Sequence, residues 1–132
     1  LSAAVNAEGG ECEEVRRLAL LNAELQTGID NPLDAAIVSD ARKRGSTSAP
    51  TIKVDEIPYD FLRKRLTIVV APAAEPATHL IITKGAFDNV LPICRTVSRG
   101  DRIAQLVVVP VVALVPPLPV VGFAVAKMFF GI

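Results

Sequence analysis

Leu66-Thr-Ile-Val-Val70 and His79-Leu-Ile-Ile-Thr-Lys-Gly85, joined by the proline-bearing turn Ala71-Pro-Ala-Ala-Glu-Pro-Ala77, decide the fold of this 132-residue chain. Short runs rich in β-branched and aliphatic residues, bounded by proline and glycine, read as strands. Residues 66–70 and 79–83 fit that description, and residues 51–57 form a third such run. The last strand ends in Lys84-Gly85, a cation beside a residue whose bare backbone a ligand can approach closely.

Two helices precede the strands. Val15, Leu18, Ala19, Leu21 and Leu25 recur at helical spacing over residues 11–25, and acidic residues crowd the first turn, where the helix dipole favours them. After the connection Gln26-Thr-Gly-Ile-Asp30, Asn31 has the chemistry of an N-cap and Pro32 suits the first helical position. That second helix is predicted to end near Gly45, with Leu33, Ala36, Ile37 and Ala41 on its apolar face. Residues 87–94 predict a short helix limited by Pro92. Helix, helix, strand, strand, strand, helix predicts an α+β domain, its antiparallel sheet covered by helices on one face.

Fourteen basic and fourteen acidic residues cancel, so no general attraction to nucleic acid is expected. Cys12 and Cys94 lie far apart and lack the close Cys or His neighbours of a zinc site, so free thiols and no metal site are expected. The start of the chain has no basic stretch followed by an apolar core, and no signal peptide is expected there.

The charges are unevenly spread. Residues 1–102 read as a soluble domain, whereas residues 103–132 form an apolar tail in which Lys127 is the only charge beyond residue 106. That tail is long enough to cross a bilayer, yet Pro110, Pro116, Pro117 and Pro119 oppose one regular helix. The alternative is a buried strand at residues 106–112 followed by an apolar end. A membrane contact through residues 107–132 and a strand both stand as expectations.

Three stretches, in order, carry a family resemblance. Leu20-Leu-Asn-Ala-Glu-Leu-Gln-Thr-Gly-Ile-Asp-Asn-Pro-Leu-Asp-Ala-Ala-Ile37, Glu56-Ile-Pro-Tyr-Asp-Phe-Leu-Arg-Lys-Arg-Leu-Thr67 and Lys84-Gly85-Ala86 together resemble the nucleotide-binding domain of P-type ATPases. The run Asp60-Phe-Leu-Arg-Lys-Arg65 is most similar to the magnesium-transporting branch. The resemblance spans residues 13–102. It implies that Asp34 faces adenine, that Tyr59 stands where the family usually stacks Phe on the base, and that Lys64 and Lys84-Gly85 lie near the nucleotide. It also implies ATP as the Mg2+ complex for a ligand, the cytoplasmic face of a membrane for a location, and the remaining domains of a transporter for partners.

The chemistry of these residue types agrees. Stacking on an aromatic ring contributes roughly 1–3 kcal/mol per base. A carboxylate accepts from an exocyclic amine, and lysines supply charge to phosphates. Each residue also has a plainer reading: Asp34 in a capping box with Asn31, Tyr59 as a core or rim aromatic, Lys64 in a solvated turn, Lys84 at an exposed strand end. His79, the single histidine, reads as a strand residue without a catalytic role.

The departures are equally informative. The family forms its aspartyl phosphate at Asp-Lys-Thr-Gly, and this sequence has no such motif, nor the Thr-Gly-Glu loop. After Arg102 the family continues into further nucleotide-domain sequence, whereas here the chain turns apolar. The resemblance therefore implies weak adenine-nucleotide binding without hydrolysis, in a fragment of an ATP-driven magnesium transporter. A non-catalytic membrane-associated remnant or regulator is the rival from another class. A third reading comes from Ser98-Arg-Gly-Asp-Arg-Ile-Ala-Gln-Leu106, which resembles one motif of the trimeric dUTPases without the others.

Overall fold

The computed structural model describes residues 4–28, 30–99, 102–105 and 126–130. Helices α1 (Glu13–Leu25) and α2 (Pro32–Lys43) lead into strands β1 (Thr51–Asp60), β2 (Arg65–Pro72) and β3 (His79–Gly85). The one-turn helix α3 (Phe87–Val90) and a 3-10 turn (Leu91–Ile93) follow, then β4 (Thr96–Arg99), β5 (Arg102–Gln105) and β6 (Ala126–Phe130). The fold is α+β, as the order of sequence signals predicts.

Local chemistry explains the helix ends. The Asn31 side chain accepts a hydrogen bond from the Leu33 N–H at 3.0 Å, and Pro32 occupies a position that needs no donor. Arg42 and Lys43 stand in the last turn of α2, where the dipole favours cations, and Gly45 leaves it at φ 66°.

The main sheet has the order β1-β2-β3-β6 with every pair antiparallel. Period-two alternation sends Leu66, Ile68 and Val70 of β2 and Leu80 and Ile82 of β3 to one face, where Leu18 and Leu21 of α1 complete the core. Burying each such side chain contributes about 1.5–3 kcal/mol. The other side of α1 packs on α2 through Leu20, Ile37 and Ala41. Asn22, fully buried, donates from Nδ2 to the Ile82 carbonyl at 3.1 Å and ties α1 to the middle of β3.

β1 runs past residue 57, where the sequence signal stops at Pro58. An edge strand tolerates a proline, and β1 is the edge. Its register shifts between Lys53 and Asp55 and again between Ile57 and Asp60. The first shift sets Lys53 opposite Val70 and Glu56 opposite Ile68, so both charged residues share the helix-covered side.

Residues 126–130 of the apolar tail extend the sheet: β6 pairs through its backbone with β3, from His79 against Phe130 to Thr83 against Ala126. The expected strand at residues 106–112 and the four tail prolines lie outside the described residues. Among the described residues no helix is long and apolar enough to cross a membrane. β4 and β5 form a separate two-stranded hairpin, which holds Ser98 and residues 102–105 of the dUTPase-like segment. Cys12 and Cys94 are free.

Candidate functional site

Where the start of α2 meets the ends of β1 and β3, the molecule opens a cleft of about 380 Å³. Cavities of roughly 300–1,000 Å³ accommodate small ligands. Asp34, Tyr59, Leu66, Lys84, Gly85 and Ala86 form its walls, and Gln26, Asp30 and Asn31 of the α1–α2 connection, with Pro32 at the start of α2, close one side.

Strand geometry explains Lys84. It continues the alternation of Leu80 and Ile82, and it stands opposite Leu66 in register, so its side chain enters the helix-covered face. An ammonium there needs a counter-charge. Asp34, in the first turn of α2, supplies it: its Oδ1 accepts from Lys84 Nζ. The two side chains are 9% and 8% exposed. Lys84 is thus no exposed strand end. Nor is Asp34 half of a capping box, because its carboxylate is engaged by Lys84 while Asn31 caps the helix with its own side chain.

Tyr59 lies at the rim, 37% exposed, with its ring edge-on to Phe61 at 5.1 Å between centroids. The hairpin tip beyond it is held by Asp60. Oδ1 accepts from the backbone N–H groups of Leu62 and Arg63, both at 2.8 Å, and Oδ2 accepts from Arg63 Nε at 2.7 Å. The Arg63 N–H, followed by its guanidinium, holds the Asp60 carboxyl below the ordinary carboxylate range.

Gly85 lines the cleft, but the space its missing side chain leaves is filled from within the protein. A Cβ there would lie 2.4 Å from the Lys64 carbonyl oxygen. That carbonyl accepts from the Ala86 N–H at 3.2 Å. The glycine therefore accommodates a close backbone crossing at the cleft wall. Lys64 itself has φ 50°, an exposed side chain and no place in the cleft lining. Of the five residues singled out from sequence, Asp34, Tyr59, Lys84 and Gly85 converge, and Lys64 contributes backbone at the margin. His79 is an exposed residue at the start of β3.

Sequence reasoning passed over the α1–α2 connection. Glu56 anchors it, accepting from the Thr27 N–H at 3.0 Å and the Thr27 hydroxyl at 2.7 Å while pairing with Lys53. Loss of solvent pushes the Glu56 carboxyl up, but the bonds from Lys53 and Thr27 outweigh it and leave its pKa lowered. The signal for Asn31 and Pro32 was in the sequence, since a capped helix start must place its first turn somewhere. What it could not tell was that β3 ends beside it.

With this geometry in place, comparison with known proteins is informative. Residues 15–107 match the family model of the P-type ATPase cytoplasmic domain N. The chain belongs to that family. The matched residues take in α1 from Val15, all of α2 and the strands from β1 to β5, while β6 lies beyond them. The chain is 37% identical over 100 residues to "Magnesium-transporting ATPase, P-type 1" of Escherichia coli K12. It is 36% identical over 100 residues and 34% identical over 104 residues to two proteins of that name in Salmonella typhimurium LT2. These alignments cover 74–77% of this chain and 11% of each relative, so the domain N sequence described here spans 11% of the length of the relatives it matches.

Proposed function

We propose that this chain is the adenine-nucleotide-binding part of an ATP-driven magnesium transporter, working at the cytoplasmic face of the membrane with the transporter's remaining domains as partners. One observation carries the reading: Asp34, Tyr59 and Lys84 come from α2, β1 and β3, far apart in sequence, and meet around a single cleft of suitable size. Tyr59 offers a face for an adenine ring, and Asp34 an acceptor for its amine. The exposed Lys64 at the margin suits phosphates that remain in solvent.

Among the described residues no group of three acidic, His or Cys side chains is placed to hold a metal. Magnesium in this reading travels on the phosphates of the nucleotide. The chain carries no Asp-Lys-Thr-Gly motif, and in this reading it binds ATP without hydrolysing it. The affinity of such an open, solvent-facing cleft is expected near millimolar, on the order of −4 kcal/mol.

Titration of the chain with ATP and UTP, followed by NMR, tests the reading. Shifts clustered at Asp34, Tyr59 and Lys84 with ATP, and weaker shifts with UTP, are expected. Equal responses to both nucleotides would remove the adenine assignment.

A further inference from the structure

The sheet has a second opening, on the side away from the cleft. Strand alternation sends Leu66 and Lys84 to the helix-covered face, so Arg65, Thr67 and Thr83 project from the opposite one. Ile57, Thr67 and Thr83 stand in register across β1, β2 and β3. Together with Arg63, Arg65 and Ile93 of the 3-10 turn they line a hollow of about 210 Å³. No residue is shared between this hollow and the cleft. Sites for whole small molecules run from roughly 300 Å³ upward, so this one suits a single functional group on a short stem.

Donors outnumber acceptors in it. The hydroxyls of Thr67 and Thr83 bond to each other at 2.8 Å, which uses one of their two hydrogens and leaves the other to donate. Arg63 gives its Nε to Asp60 Oδ2 at 2.7 Å, so that pair cancels in charge while the Arg63 Nη donors remain. Arg65 makes no ion pair among the described residues. Its stem is nevertheless packed: Arg65 stands opposite Gly85, and a Cβ built on that glycine would lie 3.0 Å from Arg65 Cγ.

A surplus of donors around one uncompensated cation selects an anion. The planar guanidinium fork matches the two oxygens of a carboxylate. Ile57 and Ile93 add aliphatic wall, which a methylene stem gains by covering and a hydrated inorganic phosphate does not.

We infer that this hollow is a binding site for a carboxylate on a short aliphatic stem, with Arg65 as its main ligand and Arg63 and the threonine hydroxyls as supporting donors. Free short-chain acids and the glutamate side chain of a protein segment share that chemistry. The inference stands apart from the nucleotide reading, because it uses the other face of the sheet.

The test titrates the whole chain with acetate, butyrate, inorganic phosphate and N-acetylglutamate N-methylamide at constant ionic strength, followed by NMR in wild type and Arg65→Gln. Butyrate should shift the Arg65 side chain and the Thr67 and Thr83 amides. It should bind more tightly than phosphate, and more tightly than acetate by up to about fourfold for each methylene covered. Arg65→Gln keeps the stem over Gly85 and removes the fork, and should weaken butyrate about tenfold or more. An unchanged response in that variant overturns the inference. So does equal binding of acetate and butyrate, or phosphate binding as tightly as butyrate.

If Arg65→Gln loses its dispersed amide spectrum, wild type decides. Nuclear Overhauser contacts from the butyrate methyl to Ile57 and Ile93 are then expected. Shifts spread evenly over Arg17, Arg95 and Arg65 would mean general attraction to cations and would overturn the site. A response to the capped glutamate beside that to butyrate extends the site to a partner's side chain, and butyrate alone restricts it to free acids. No response to either overturns the inference.

Discussion

A methyl group built on Gly85 would lie 2.4 Å from the Lys64 carbonyl oxygen, 3.0 Å from Arg65 Cγ and 3.1 Å from Val90 Cγ2. The first contact is with backbone and cannot swing aside. Gly85→Ala is therefore expected to destabilise the fold by about 1–3 kcal/mol, read as a lower midpoint in urea. Tyr59 makes the opposite kind of demand, since stacking needs its ring and not its hydroxyl. Tyr59→Ala should weaken ATP binding about tenfold, or about 1.4 kcal/mol, while Tyr59→Phe should preserve it. Equal damage from both substitutions would show that the hydroxyl matters and that stacking is the wrong account. These two residues also show what a sequence discloses. Tyr59 was singled out because it stands where the resembled family usually places Phe, and the structure sets it at the rim of the cleft. The reason for Gly85 was not legible, because a backbone crossing between residues 64 and 85 exists only once the hairpin has closed.

At the scale of elements, one side of the cleft is a connection, and Glu56 keeps it in place. Its lowered pKa fixes the sign of a pH effect. A carboxyl with a depressed folded pKa contributes stability above its unfolded value, about 4.3, and that contribution disappears as pH falls through the lower folded value. The Asp60 turn adds the same direction of dependence through the backbone N–H of Arg63 and then its guanidinium. Stability should thus decline below about pH 4.3, and Glu56→Gln should show a shallower decline than wild type when thermal midpoints are compared across acid pH. A parallel decline in the two proteins would mean that Glu56 does not hold the connection. The long helices and the strands they cover were readable from periodicity, because burial on one face imposes it. The placement of the connection against β1 was not, because it depends on a register shift that brings Glu56 and Lys53 to the same side.

For the whole molecule, the apolar tail is the main surprise. Composition made residues 103–132 look separate from the domain, but β6 occupies the second edge of β3. A chain ending at residue 105 should consequently be less stable than the full chain and prone to self-association through the uncovered β3 edge, seen by size exclusion and thermal melting. Equal stability and a monomeric profile for the shortened chain would mean that β6 adds nothing to the fold. Sequence could not assign this strand, since an apolar run shows the same composition whether it meets lipid or a sheet edge. The bond from the Ala86 N–H to the Lys64 carbonyl acts on the same scale. It joins the hairpin tip beside Tyr59 to the strand end that carries Lys84, so two walls of the cleft are tied together through the main chain. For a ligand arriving there, the spacing of these two walls is set by main-chain bonding and does not depend on how the side chains pack.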